Sequence, residues 1–215
     1  MTKDVRLYNP LDHENLADSV MRALFRRATM PLADILEKTA NDVVLGAGIY
    51  ALYYTGPFGA YAPLAEATRA GSQEWPIYIG KADAPGGRTG GQIIDDPTCS
   101  ALRDRLRDHA RSIRTVDDEV FKLADFSCRF LATHEMFTET AESLMISRLM
   151  PIWNVVTTGF GNRDPGKNRH QGKLSKWDVL HPGRSWARNL QARKDSVDDV
   201  LAEIAANFAA RRVDA

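Results

Sequence analysis

The sequence predicts an α+β fold within a single domain, in which helices flank a small central β-sheet. Short segments rich in β-branched and aromatic residues are typical of strands, and they lie at residues 47–54, 76–80 and 126–132. Segments with apolar residues at a helical period lie at residues 16–38, 101–114, 138–149 and 197–211. The chain of 215 residues is 44% hydrophobic and 26% charged, which excludes disordered and collagen-like proteins.

The first third of the chain contains both helix and strand signals. Pro31 interrupts the helical pattern of residues 16–38, which predicts a helix, a break and a short second helix. Residues 43–65 carry no charge and are long enough to cross a membrane. Their glycines and prolines instead favour a strand followed by a turn-rich loop, and a short helix is expected at residues 64–69.

The remaining elements have clear beginnings and ends. Four glycines between residues 86 and 91 predict a flexible connection. Ser100 stands where it can cap the helix over 101–114. The helix over 138–149 is expected to stop before Pro151, and the last helix carries an apolar stripe that predicts packing against the core.

Cysteine usage and the N-terminal residues bear on the compartment. Cys99 and Cys128 have neither the number nor the spacing of a disulfide framework or a zinc site. The first ten residues carry Asp4 and Arg6 and no apolar stretch, so no secretion signal is expected. We therefore expect a cytoplasmic protein with reduced thiols and no membrane association.

The formal net charge is zero, from 28 basic and 28 acidic residues. Taken alone, this argues against a nucleic-acid-binding protein, whose footprint is usually basic. However, twenty of the basic residues are arginines, whose planar donor fork suits phosphates and guanine edges. Residues 163–194 hold nine bases against two acids, and acidic stretches at 115–150 and 195–215 offset them. The zero therefore conceals a basic segment suited to nucleic acid.

Polar residues of catalytic type recur on the predicted elements. Tyr50 and Tyr78 lie in two strands, and side-chain alternation lets them share a face if those strands pair. Arg105 and His109 are four residues apart on one helix, so they lie on the same side of it. Glu142 interrupts an otherwise apolar helix.

Each of these residues has an ordinary structural interpretation when it is taken alone. A strand tyrosine is usually part of the core, and an arginine and a histidine on one helix face usually point to solvent. Glu142 has candidate ion-pair partners in Arg148 and Arg129, and Asn154 has the chemistry to cap a turn. A catalytic interpretation therefore depends on their joint presence and order.

Together, these residues resemble the catalytic core of the GIY-YIG nuclease superfamily over about residues 45–155. The matching residues are the triplets Gly48-Ile49-Tyr50 and Tyr78-Ile79-Gly80, followed by Arg105, His109, Glu142 and Asn154. The resemblance implies a mainly antiparallel sheet, preceded by an N-terminal helical arm (1–44). A basic DNA-binding extension that contains the C-terminal helix (156–215) follows the core. Residues 51–77 form an insertion between the triplets, longer than in compact family members.

The resemblance implies hydrolysis of phosphodiester bonds with the help of one divalent metal ion. Tyr50 is implied as the general base, but the unperturbed pKa of tyrosine, about 10, is too high without nearby positive charge. Lys81, Arg105 and the metal are the expected sources of that charge. Alternatively, His109 accepts the proton from Tyr50 and is the ultimate base, and the sequence leaves both routes open.

The other implied roles concern the phosphate and the metal. Arg105 is expected to clamp the scissile phosphate with paired donors. Glu142 is expected to bind Mg²⁺, which Mn²⁺ can replace, with water in the other coordination positions. Tyr78 is expected to orient water or phosphate, and Asn154 to support the site through hydrogen bonds.

Double-stranded DNA is the implied partner, and the basic segment is expected to contact it. This segment also contains Trp177 and Trp186, which favour an ordered structure over a solvated tail. The expected DNA contacts are Arg163, Lys167, Arg169, His170, Lys173, Lys176, Arg184 and Arg188.

A chain with this core and no zinc finger or helicase-like domain is similar to the Type II restriction endonucleases of the superfamily, including a subgroup that cuts CCGCGG. Cutting a palindrome implies a homodimer, with contacts expected from the N-terminal helices and the 51–77 insertion. A cognate DNA methyltransferase is expected in the same system. Two alternatives remain open: a homing or repair-type nuclease that nicks DNA, and a DNA-binding regulator on an inactive core.

Overall fold

A computed structural model describes residues 9, 12–84, 96–116, 120–166 and 171–213. Within these residues the strands are β1 (Met30–Pro31), β2 (Gly48–Tyr54), β3 (Tyr78–Ala82) and β4 (Phe126–Ala132). The helices are α1 (His13–Phe25), α2 (Ala40–Val43), α3 (Ala62–Arg69), α4 (Ala101–Arg114), α5 (Glu135–Leu149), α6 (Ile152–Val155), α7 (Lys176–Leu180) and α8 (Val197–Val213). The four strands form one antiparallel sheet in the order β1-β4-β2-β3, so β3 is at one edge. The predicted α+β class with a small antiparallel sheet flanked by helices is confirmed.

Helices cover both faces of the sheet, and strand β2 is buried along its whole length. On one face, Ile49 and Ala51 pack with buried residues of α1 and α5, among them Leu24 and Met145. The other face carries Tyr50, Leu52 and Tyr54, which pack with α4, α8 and the aromatic residues of the C-terminal segment. Because residues alternate across a strand, β2 contributes to both layers of the core.

Several predicted elements differ in detail from the structure. The expected second N-terminal helix is a 3₁₀ turn at Leu32–Leu36, directly after the short strand β1. Strand β3 begins at Tyr78, two residues later than predicted. Ser100 occupies the cap position of α4, but its hydroxyl donates to Asp104 at 2.6 Å and accepts no backbone N–H of the helix.

Two further expectations concern residues 43–65 and 86–91. In the described part of the chain, no helix is both long and apolar enough to span a bilayer. Residues 43–65 instead contain strand β2, a 3₁₀ turn and the first half of α3, as their glycines and prolines predicted. The glycine-rich connection over 86–91 lies outside the described residues.

Candidate active site

The two triplet tyrosines lie side by side on strands β2 and β3. The register pairs Tyr50 with Gly80 and Leu52 with Tyr78, and the centroids of the two phenol rings are 6.2 Å apart. A Cβ atom at Gly80 would lie 2.3 Å from the Tyr50 hydroxyl. Only glycine leaves room for this phenol, because the ring lies across the backbone of β3.

Helix α4 brings His109 to the Tyr50 hydroxyl. The distance from Tyr50 Oη to His109 Nε2 is 2.6 Å, and the imidazole is 2% exposed. Burial lowers the pKa of His109 well below its usual value, and the positive charges of Arg105, Arg163 and Arg184 lower it further. His109 is therefore neutral, and in the tautomer with its proton on Nδ1 it accepts the hydrogen bond from Tyr50.

Burial also keeps Tyr50 protonated in the resting protein. It raises the pKa of the phenol well above 10, and the neighbouring Tyr78 adds to the rise while Arg105 opposes it. The resting pair thus consists of a neutral phenol and a neutral imidazole at hydrogen-bond distance. This arrangement lets a proton move from Tyr50 to His109 when negative charge is required at Tyr50.

Arg105 lies one helical turn before His109 and faces both phenols. Its charge lowers the pKa values of Tyr50 and Tyr78 against the stronger effect of burial. Its Nη2 donates to the carbonyl of Gly161 at 2.8 Å, which helps to fix the plane of the guanidinium beside the Tyr50 and Tyr78 hydroxyls. The alternative that Arg105 and His109 form a solvated helix face is wrong, because His109 is buried.

Glu142 reaches the same edge of the sheet from helix α5. Its carboxylate accepts a hydrogen bond from the backbone N–H of Lys81. Burial raises the pKa of Glu142, and the positive charge of Lys81 opposes the rise. The arginines considered from sequence bind elsewhere: Arg148 pairs with Asp18, and Arg129 donates to backbone carbonyls before β1. Glu142 is therefore held by the backbone of β3 rather than by either arginine.

Lys81 lies on the side of the sheet that faces α5. It pairs in register with Ile49, not with Tyr50, and its ammonium is 3.4 Å from Asp83 and 4.0 Å from Glu139. Its charge thus acts on the carboxylates at this edge, and Arg105 is the cation that acts on Tyr50. The expectation that Lys81 supplies charge to the Tyr50 phenol is not supported.

Asn154 binds the outer edge of β3 as a neighbouring strand would. Its side-chain oxygen accepts from Ile79 N and its amide donates to Ile79 O, both at 2.9 Å. The Lys81 N–H that binds Glu142 lies two residues further along the same edge. One strand edge therefore positions both Asn154 and the carboxylate of Glu142.

The donor set at this edge fits a hard divalent cation such as Mg²⁺. Glu142 supplies a carboxylate, and Mg²⁺ is commonly held by one or two carboxylates together with waters and substrate phosphates. Among the described residues, no three His, Cys, Asp or Glu side chains converge on a common point. The residues present thus fit one metal shared between the protein and a bound phosphate.

A loop that the sequence did not predict as part of the site covers these groups. Phe160 stacks on His109 with ring centroids 4.5 Å apart and 19° between the planes. A Cβ atom at Gly161 would lie 2.5 Å from the Tyr78 hydroxyl. No sequence motif indicated this contact, because it joins residues far apart along the chain.

Beside this loop, a cavity of about 270 Å³ opens next to Arg105 and His109. Arg111, Arg163 and Trp186 are among its other lining residues. The Arg163 side chain is 67% exposed and donates to Asp108 at 2.8 Å. The wall between Arg105 and the surface therefore combines arginine and aromatic side chains with the carboxylates of Asp108 and Asp164.

The other expected DNA contacts have different environments. Lys173 and Arg188 are exposed, whereas Lys176 pairs with Glu203 of α8. Arg184 is only 3% exposed, so the structure places it in the interior instead of on a DNA-contacting surface. The remaining three, Lys167, Arg169 and His170, lie outside the described residues.

Comparison with known proteins adds one match. The family model described as the Eco29kI GIY-YIG domain matches residues 42–208. This range contains both triplets, the residues of the candidate site and the basic segment. No curated protein matches the sequence significantly.

Proposed function

Because the chain belongs to the Eco29kI GIY-YIG domain family of restriction endonucleases, we propose that it is a Type II restriction endonuclease. It would cut both strands of duplex DNA at a short palindromic, GC-rich site similar to CCGCGG. Family membership identifies a restriction-type DNA endonuclease, which is a hydrolase. The observation that supports cleavage activity at this site is the buried hydrogen bond between Tyr50 and neutral His109, flanked by Arg105 and Glu142.

In the proposed reaction, a water molecule attacks the phosphorus atom and the 3′ oxygen departs. Tyr50 takes a proton from the attacking water while its own hydroxyl proton passes to His109 Nε2. This relay suits the site, because burial disfavours a lasting phenolate and His109 is neutral and within 2.6 Å. The pair thus acts as a base without forming a long-lived phenolate in a water-poor environment.

Other groups are needed to stabilise the negative charge of the phosphate during the reaction. The planar guanidinium of Arg105 is suited to the non-bridging oxygens, and Glu142 is the residue that would hold Mg²⁺ or Mn²⁺. When bound, the metal would stabilise the charge that develops on the phosphoryl and leaving oxygens. Tyr78 lies beside Tyr50 and orients the phosphate or water, and Asn154 keeps β3 in place.

Recognition of a palindrome suggests two copies of the chain related by a twofold axis. The exposed basic residues Arg163, Lys173 and Arg188 are the described candidates for DNA contacts, with Lys176 able to join them if its ion pair opens. A methyltransferase of the same specificity would protect the host DNA. The N-terminal helices and the 51–77 insertion remain the proposed dimer contacts.

The test is digestion of a sequenced plasmid with Mg²⁺, followed by mapping of the ends. Discrete double-strand breaks at one palindromic sequence are the expected result, and CCGCGG is the first sequence to examine. Nicked circles without linear product would instead support a nicking or repair-type nuclease. Specific DNA binding without cleavage in Mg²⁺ or Mn²⁺ would support a regulator on an inactive core, although the assembled Tyr50–His109 pair argues against it.

A further inference from the structure

Arg184 is a buried cation with an unusually complete set of partners. Its Nε and Nη2 donate to the two carboxylate oxygens of Asp178, both at 2.7 Å. Its guanidinium also stacks against Trp177 and Trp186, with 4.6 Å from Cζ to each ring centroid. Asp178 in turn accepts from the hydroxyl of Ser175 at 2.6 Å, so the ion pair is locked at the start of α7.

The remaining Arg184 donors bind the backbone of the loop that covers the catalytic groups. They reach the carbonyls of Phe160 at 3.0 Å and of Gly159 and Asn162 at 3.1 Å. The intervening carbonyl, that of Gly161, accepts from Arg105. Four consecutive carbonyls are thus held by two guanidinium groups, one structural and one in the active site.

The loop held by Arg184 contacts the catalytic residues directly. Phe160 stacks on His109 and also meets Tyr78 edge-on, with ring centroids 5.0 Å apart. A buried ion pair is an inefficient source of stability, because desolvation offsets most of its attraction and apolar residues of similar size often stabilise as well. What it supplies here is a rigid set of five directed donors.

On the basis of the proposed nuclease function, we infer that Arg184, held by Asp178, is a positioning residue for DNA cleavage. It fixes the loop over 159–162, which orients Arg105 through the Gly161 carbonyl and keeps water away from His109 through Phe160. Arg184 itself touches neither DNA nor the reacting atoms.

The environment of His109 provides a readout that does not depend on cleavage. The groups that face its imidazole are Tyr50 and Tyr78 from the strands, Arg105 from its own helix, and Arg163 and Arg184 from the C-terminal segment. Replacing Arg184 by lysine keeps the positive charge but removes the planar fork. A change in the His109 titration then reports loosening of the loop and entry of water, not loss of charge.

The experiment compares R184K with wild type and with R114K, a matched change at an exposed arginine at the end of α4. Steady-state cleavage is measured on the duplex site mapped for the wild-type enzyme, and the His109 titration is followed by NMR of the free protein. We expect R184K to lower kcat about ten- to hundredfold with KM within about twofold. We also expect the His109 midpoint to rise by about one pH unit, whereas R114K changes neither quantity.

Both readouts must change for the inference to stand. A folded R184K protein with wild-type kcat, or with an unchanged His109 titration, overturns it, and a raised KM at constant kcat would show a DNA contact instead. If R184K does not fold, S175A decides by the same two measurements, because it removes the hydroxyl that holds Asp178 and leaves Arg184, the loop and the catalytic groups unchanged. If wild type cuts no DNA, the proposed function fails, and the His109 titration alone decides whether Arg184 positions the loop.

Discussion

A second buried tyrosine–histidine pair makes stability depend on pH. His181 Nε2 lies 2.7 Å from Tyr61 Oη, which also accepts from Trp153 Nε1 at 2.9 Å. Burial lowers the pKa of His181 from 6.5 to about 3. A proton on Nε2 would remove the acceptor that Tyr61 uses and place a charge in the aromatic core, so acid should favour unfolding.

The direction and the size of this pH effect on stability follow from the pKa values of His181 in the folded and unfolded states. In the unfolded chain His181 titrates near 6.5, so between pH 6.5 and pH 3 the unfolded state binds more protons than the folded state. Its contribution to stability is therefore complete above pH 6.5 and is lost progressively as the pH falls. With a folded-state pKa of about 3, the loss is about 2 kcal/mol at pH 5 and about 3 kcal/mol at pH 4.

The perturbation that isolates this effect is H181Q, which keeps an acceptor for the Tyr61 hydroxyl but does not titrate. Urea unfolding at pH 7 and pH 5, at one fixed protein concentration, gives the free energy of unfolding of each protein. Wild type should lose about 2 kcal/mol more than H181Q between the two pH values, since His109 contributes equally to both. Equal losses in the two proteins would refute the assignment of a neutral, buried His181.

Three further outcomes test the active site itself. E142A should abolish cleavage in Mg²⁺ while DNA binding in gel-shift assays persists. The control E139Q changes an exposed neighbour on α5 and should stay active. Full cleavage by E142A would exclude the metal assignment. G80A places a methyl group within 2.3 Å of the Tyr50 hydroxyl, so kcat should fall at least tenfold at a stability cost of about 1–3 kcal/mol, which thermal unfolding measures. N154A removes two hydrogen bonds to the edge of β3 and should lower the free energy of unfolding by about 1–3 kcal/mol; an unchanged urea midpoint would contradict this role.

Elements with strong local signals were predictable. The helix over 101–114 and the strand over 126–132 have the predicted bounds, because their apolar periods and their flanking residues agree. The two-residue strand β1 was not predicted, since a pair of residues carries no period. Its assignment depends on pairing with β4, which lies about a hundred residues later in the chain.

The site shows the same division between local and tertiary information. Tyr50 and Tyr78 were expected on one face, and the antiparallel register places them there. The assignment of Arg184 to the DNA surface had no local contradiction, because its sequence surroundings resemble those of the exposed Arg188, four residues later in the same basic segment. Burial of Arg184 depends on Asp178 and on a loop more than twenty residues earlier.

The sequence by itself predicted most helices and strands of the core and the residues of the candidate site, because periodicity, turn residues and motif order are local properties of the chain. Only the tertiary structure decided that His109 and Tyr50 form a neutral, hydrogen-bonded pair. It also decided that the charge of Lys81 acts on Glu142 and that Arg184 is buried. The physical reason is that protonation and ion pairing depend on desolvation and on distances of a few ångströms. Those quantities arise from packing between distant segments and have no counterpart in local sequence.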